Sequence, residues 1–296
     1  ESTVDASVLN LQSMPRRTAH IKHINFEDLK EEGLFVPPVE KKYLELPEPD
    51  TQDHLPDVTR LVSFLKINHE EERLQLTLPV IRKIPDVLRE NNFKVTATLE
   101  RPVRGGRKSR IINLQPGDTT DKNYAIAMDV GTTTIYGQII DLITGETKAE
   151  YGDFNSQISF GEDVITRIVY AEKPGGLEKI HKAGIDTINQ VIHELLKQSG
   201  IEQDDISAIT LAGNTTMTQL LMQVNPKYIR RAPYVPAASI YPPLRAADLG
   251  MDLKDHVTAL AYPQISSYVG GDIVAGVMGS GMYRTEALTL YLDIGT

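Results

Sequence analysis

The sequence contains no cysteine. That absence removes several kinds of chemistry at once: this chain holds no disulfide, no thiolate nucleophile and no cysteine-ligated zinc or iron–sulfur centre. It also lacks any run of about 18 apolar residues, the length that a bilayer-spanning helix needs. Its first residues, Glu1-Ser2-Thr3-Val4-Asp5, have neither the basic start nor the apolar stretch of a signal peptide. The expectation is a cytoplasmic protein with no membrane partner. Basic residues are the minority, 31 Lys and Arg against 40 Asp and Glu, for a net charge of −9. No nucleic-acid partner is expected either, because phosphate backbones demand clustered cations. There is no initiator Met, and the final residues stop inside a strand–turn signal, so the chain is expected to be a piece of something longer.

What remains is an ordinary globular composition, 41% hydrophobic and 24% charged over 296 residues, enough for one large domain or a few smaller ones. Residues 1–40 are polar, lack periodicity and end in Val36-Pro37-Pro38-Val39, which reads as an extended linker. His20 and His23 alternate within it and read as polar linker residues, not metal ligands. From 41 to 121 the pattern is that of a small α+β unit: strands near 43–46, 93–99 and 109–114, and helices over 57–65 and 78–89. Arg101, Arg104, Arg107, Lys108 and Arg110 crowd around a Gly105-Gly106 turn. The cluster reads first as a solvated hairpin tip, with a contact site for an acidic partner as the alternative.

Residues 122–296 change character again. Three strand signals follow one another at 125–130, 135–142 and 147–154, before helices over 162–172 and 177–198. A buried strand at 208–212, a helix at 216–222, a strand at 256–261, a Gly-rich helix at 267–281 and a last strand at 287–292 complete the series. Three strands followed by alternating helices and strands predict a ribonuclease-H-like lobe, not a Rossmann half. The Pro-rich stretch 225–249 reads as a long ordered loop, suited to partner contact or to packing over the lobe.

The chemistry concentrates at Ile126-Ala127-Met128-Asp129-Val130-Gly131-Thr132-Thr133-Thr134. An apolar strand carries one carboxylate to its C-terminal end, and a glycine then lets the backbone approach a ligand. The threonines add hydroxyl and N–H donors for anionic oxygens. A carboxylate beside such donors suits Mg²⁺ with a phosphate, since Mg²⁺ keeps most of its waters and is steered by one or two carboxylates. The last residues, Leu292-Asp293-Ile294-Gly295-Thr296, repeat the pattern about 160 residues later. Two such turns are what a pair of duplicated lobes facing one nucleotide requires.

The two turns resemble the first and second phosphate motifs of the superfamily of acetate and sugar kinases, actin and related ATPases. Several stretches narrow the likeness: Gln115-Pro116-Gly117-Asp118, Gly161-Glu162-Asp163-Val164-Ile165-Thr166-Arg167-Ile168, Ala212-Gly213-Asn214-Thr215-Thr216-Met217 and Tyr268-Val269-Gly270-Gly271-Asp272-Ile273-Val274-Ala275-Gly276. With these, essentially the whole chain resembles the reductive activators of corrinoid proteins.

The resemblance implies an actin-like ATPase lobe at 122–296, ending at the start of a second lobe, preceded by that family's middle domain at 41–121 and its linker at 1–40. It implies ATP and Mg²⁺ as cofactors, and a [2Fe-2S] cluster in a ferredoxin-like N-terminal domain that this chain lacks. It implies a corrinoid protein as partner, either a corrinoid iron–sulfur protein or a methyltransferase corrinoid subunit, and a homodimer. ATP hydrolysis would drive the reduction of cob(II)alamin to cob(I)alamin, a step uphill for ordinary donors. Carried over by position, Asp129 would orient Mg²⁺ through water, and Gly131, Thr132, Thr133 and Thr134 would cradle the terminal phosphates. Asp293, Gly295 and Thr296 would face them from the second lobe. Gly213, Asn214 and Thr215 would line the cleft, although a helix N-cap also accounts for Asn214. Asp163 and Arg167, four apart on a helix, read as a surface ion pair or a functional one. A small-molecule kinase of the same superfamily and a non-catalytic actin-like nucleotide switch are the competing functions.

Overall fold

The computed structural model describes residues 26–71, 73–102, 108–284 and 286–293. His20 and His23, the Gly105-Gly106 turn with Arg104 and Arg107, and Gly295 and Thr296 lie outside the described residues. After a short helix α1 (Phe26–Glu31), the chain builds β1 (Val39–Glu45), α2 (Asp57–His69), β2 (Leu74–Leu76), α3 (Leu78–Glu90), β3 (Lys94–Glu100) and β4 (Ser109–Pro116). The strands form one sheet in the order β1-β3-β4-β2, with only β2 running parallel to its neighbour. In α3, Val80, Ile84 and Leu88 recur every four residues and are all buried. They close a core with Leu61 and Leu65 of α2 and with the alternate residues Val95, Ala97 and Leu99 of β3. Helix and strand periods thus point their apolar sides at the same space. Of the basic cluster, Arg101 is paired with Glu40 and Glu71, and Arg110 with Glu100.

The second unit runs β5 (Tyr124–Val130), β6 (Thr134–Asp141), β7 (Thr147–Phe154), α4 (Val164–Ala171), α5 (Gly176–Ser199), β8 (Ile206–Ala212), α6 (Thr215–Leu221), β9 (Leu244–Arg245), β10 (Thr258–Ala261) and α7 (Gly271–Ser280). Its six strands lie in the order β7-β6-β5-β8-β10-β9. The first three are joined by antiparallel turns, after which the chain crosses over α4 and α5 to lay β8 parallel to β5. This is the ribonuclease-H-like arrangement of an actin-type lobe. Helix α5 buries Ile180, Gly184, Ile188, Val191 and Leu195, a ridge of three- and four-residue steps. It lies so close to β6 that a Cβ on Gly137 would stand 3.0 Å from the side chains of Leu195 and Val191. Gly200, at φ +67°, ends the helix by donating to Leu196 O. The Pro-rich stretch folds over the lobe, burying Ile229, Tyr241 and Ala246 and exposing Tyr228, Tyr234 and Ile240.

The expected strand at 287–292 is absent: these residues form no ladder, and Leu288, Leu290 and Leu292 are exposed. A strand exists only by pairing, and among the described residues no strand lies beside this segment. Tyr291 is exposed too, although the hydroxyl end of its ring lies where Gly276 of α7 has no side chain.

The two units meet along a small apolar seam of Val39, Ile112, Ala125, Leu142 and Ala208. Lys41 Nζ crosses it to Asp205 Oδ1 at 3.0 Å, where Gln115 Nε2 also donates at 3.1 Å. Beside the seam is a cleft of about 760 Å³ lined by Lys83, Arg110, Arg245, Lys254, Asp204 and His256 among others. None of residues 129–134 lines it, and Arg110 and Arg245 are already paired with Glu100 and Asp248. Among the described residues no helix is long and apolar enough to cross a membrane.

Candidate nucleotide-phosphate site

β5 and β8 run parallel with Asp129 opposite Ala212, so both strands end at the same edge of the sheet. That edge is where an open α/β sheet presents its ligand groups. The turn after β5 and the turn after β8 are therefore side by side. Each depends on its glycine. A Cβ on Gly131 would stand 2.6 Å from Thr134 O, and one on Gly213 would stand 2.8 Å from Val130 O.

The turn at 131–133 is held from behind, carbonyl by carbonyl. Asn155 is fully buried; its Nδ2 donates to Gly131 O at 2.9 Å and its backbone N–H to Thr133 O at 2.8 Å. Arg167 Nη2 donates to Thr132 O at 2.6 Å. From the β8 side, Asn214 Nδ2 donates to Thr132 Oγ1 at 3.1 Å, while its Oδ1 accepts the Met217 N–H and caps α6. Asn214 is thus both the N-cap and a contact of the turn. Within the described residues the N–H groups of Gly131, Thr132 and Thr133 make no hydrogen bond. A turn whose carbonyls are all engaged inward and whose N–H groups are unused has the polarity of an anion cradle.

Three carboxylates share the mouth of this cradle. Asp129 has solvent access yet is walled by protein on its sides. That enclosure, with the nearby Asp272 and Asp293, pushes its carboxyl up to about 6. Partial loss of solvent, and not complete exclusion of water, accounts for the rise. Asp272 is raised as well, first by burial and then, in part, by Asp293. Among the described residues no group of three or more His, Cys, Asp or Glu stands close enough to hold a metal ion directly. A carboxylate raised in part by two like charges, at a distance from direct ligation, suits a hydrated divalent cation between them and the phosphates. The donor set therefore fits Mg²⁺ with a phosphate chain.

The expected residues divide accordingly. Asp129, Gly131, Thr132, Thr133, Gly213 and Asn214 come together, with Thr134 as the first residue of β6 and Asp293 in the coil beyond α7. Thr215 is buried and its hydroxyl donates to Ser266 O at 2.7 Å, so it faces away from the cleft. Gly295 and Thr296 lie outside the described residues.

Sequence reasoning gave Asp272 no role. Its signal is the Gly270-Gly271 pair just before it. A Cβ on Gly270 would stand 2.5 Å from Asn214 Cα, and the N–H groups of Gly271 and Asp272 both donate to Gly213 O. The glycines bring the start of α7 against the β8 turn and set Asp272 beside Asp129. The surface ion pair of Asp163 with Arg167 is corrected. Asp163 instead caps α4 through Thr166, while Arg167 turns inward and is 0% exposed.

With this geometry established, comparison with known proteins places the chain. The family described as "RACo middle region" matches residues 124–285, and the one described as "RACo linker region" matches residues 28–121. The family's linker region thus takes in the four-stranded unit, and its middle region is the lobe. A curated protein, corrinoid activation enzyme RamQ of Eubacterium limosum, is 33% identical over 190 residues, which are 64% of this chain and 32% of that protein. A solved structure titled "Reductive activator for corrinoid,iron-sulfur protein" superposes with a TM-score of 0.79 at 36% identity, over 88% of this chain and 41% of that one. The chain spans about a third of the curated relative it matches. The glycines, the turn and the two-unit order point the same way as these matches: the chain belongs to the family of reductive activators of corrinoid proteins.

Proposed function

We propose that this chain is the linker and first nucleotide-binding lobe of an ATP-dependent reductive activator. In that role it couples ATP hydrolysis to passage of one electron from a [2Fe-2S] domain to cob(II)alamin in a corrinoid protein, giving cob(I)alamin. The active species is a cytoplasmic homodimer in this reading. The observation that carries it is the turn at 131–133, with every carbonyl held from behind and its N–H groups unused among the described residues.

Gly131, Thr132 and Thr133 would bind the terminal phosphates through backbone N–H groups and hydroxyls. Asp129 would orient hydrated Mg²⁺, with Asp272 and Asp293 at the same mouth. Bound Mg²⁺ supplies positive charge that offsets the charge on the phosphate oxygens. The residues of the chain contribute position and fixed dipoles, the larger share of catalysis in phosphoryl chemistry. Asn155, Arg167 and Asn214 keep the turn rigid, so its donors need little reorganisation.

The test is Asp129→Asn in the complete protein, which keeps the shape and removes the charge. ATP turnover and corrinoid reduction should both fall by on the order of 10²-fold or more, while reduction of the iron–sulfur cluster by its donor stays normal. Wild-type reactivation under saturating ATP would overturn the site assignment.

A further inference from the structure

Among the described residues Arg167 is the largest completely buried side chain. Its guanidinium donates to Gly161 O at 2.8 Å, Gln157 Oε1 at 3.3 Å and Thr132 O at 2.6 Å, and it lies 3.3 Å from Met217 Sδ. None of these partners is a carboxylate, and they are all its polar contacts with described residues. Asp163, a turn earlier on α4, spends its side chain on the helix cap. Burial lowers the Arg167 pKa to about 10 against the raising influence of the Asp163 charge, far enough above neutrality to leave the group charged.

An interior cation without a counter-ion is costly, and folds normally supply a carboxylate beside it. Here carbonyl and amide oxygens satisfy the hydrogen bonds, and the charge of Asp163, which forms no ion pair with the guanidinium, offsets only part of the cost of burial. The strongest of those bonds ends on the middle residue of the phosphate turn. We infer that Arg167 is a positioning residue for anion recognition: its charge, set behind Thr132 and only partly offset by Asp163, favours a polyphosphate on the open side of the turn. The ligand adds the counter-charge that no directly paired carboxylate supplies. This inference rests on the phosphate reading of the turn.

A plain structural strut would show the same hydrogen bonds, so the test must vary charge and bonding separately. Gln157→Glu places a carboxylate against the guanidinium while Arg167 keeps its bond to Thr132. Arg167→Met removes charge and bonds together, and Arg167→Lys keeps the charge. Binding of orthophosphate, pyrophosphate and tripolyphosphate with Mg²⁺ is measured calorimetrically for each protein. Wild type should bind more tightly as ligand charge rises. Gln157→Glu and Arg167→Met should each lose roughly tenfold for tripolyphosphate, and less for orthophosphate. Arg167→Lys should recover most of that loss. Should Arg167→Met fail to fold, Gln157→Glu decides alone. Unchanged affinities and an unchanged charge dependence in Gln157→Glu would reduce Arg167 to a strut and leave the nucleotide reading standing. If wild type bound none of the three ligands nor MgATP, the nucleotide reading would fall and this inference with it.

Discussion

To serve a hydrated cation as proposed, Asp129 has to be ionised when the cation arrives, and it is held against ionisation. Its carboxyl is raised to about 6 from 3.8 by enclosure and by the Asp272 and Asp293 charges. Because the folded value lies above the unfolded one, the resulting stabilisation is complete below the unfolded pKa. It is lost as pH rises through about 6. Without ligand, wild type should therefore melt below Asp129→Asn at about pH 8, and the gap should close toward about pH 4. Adding Mg²⁺ with a nucleotide should raise the Tm of wild type and leave the variant where it was. Thermal melts across this range check both halves, and a gap that does not vary with pH would show that Asp129 is not strained by its neighbours. Asn155 and Arg167 work differently at the same scale, since neither presents a group to the cleft and both act on carbonyls of the turn.

Among the elements, the contact of α7 with the β8 turn brings Asp272 to the side of Asp129. Gly270 has an ordinary φ of −91°, so alanine there meets no backbone objection. Its Cβ would instead stand 2.5 Å from Asn214 Cα and 2.7 Å from Thr215 N. Gly270→Ala should force the start of α7 away from the turn at a stability cost of about 1–3 kcal/mol. Mg²⁺–polyphosphate affinity should fall as well, because Asp272 and Asn214 separate. Gly279→Ala on the same helix, where nothing lies within 4 Å, is the control. It should stabilise by about 0.5–1 kcal/mol and leave binding alone. Chemical denaturation and calorimetry on the pair separate the close approach from the helix itself.

Much of this level was legible in the sequence, for physical reasons. Helices α3 and α5 announce themselves by three- and four-residue apolar steps, and β5, β6 and β7 by their turns. Asp129 was legible because strand, carboxylate and glycine are contiguous. What escaped depends on partners distant in the chain. Arg167 looked like a surface pair because Asp163 stands four residues away; its burial comes from α6 and from the 3-10 turn at Ser156–Phe160, which close over it. Asp272 acquires its neighbours only when α7 folds back onto Gly213. The strand expected at 287–292 had the propensity and lacked the pairing, and β2, three residues long, carries too short a pattern to read.

Across the whole molecule, hydrogen bonds near the start of β5 join the two described units, from Lys41 to Lys122 O and Asp205, from Gln115 to Asp205 and from Asn123 to Val39 O. The Lys41–Asp205 pair has side-chain exposures of 1% and 12%, and removal of one partner leaves the other charge buried. Lys41→Met should weaken the joint by about 3–5 kcal/mol. Calorimetry should then resolve two unfolding transitions, with the lobe still shifting upward on Mg²⁺ and polyphosphate. A single transition at the wild-type temperature would show that the apolar seam suffices to hold the units together.

The joint has a consequence for how the first unit learns of a ligand. It sits by Asn123 and Asp205, at the N-terminal ends of β5 and β8, while the phosphate turn caps their other ends. Six residue steps of strand separate the two, roughly 20 Å of hydrogen-bonded sheet. A strand paired on both sides neither stretches nor bends by much, so it passes on tilt and nothing else. A tilt set at the turn would therefore reach the four-stranded unit as a needle follows its spindle, by angle, with travel widest at the points farthest from the pivot.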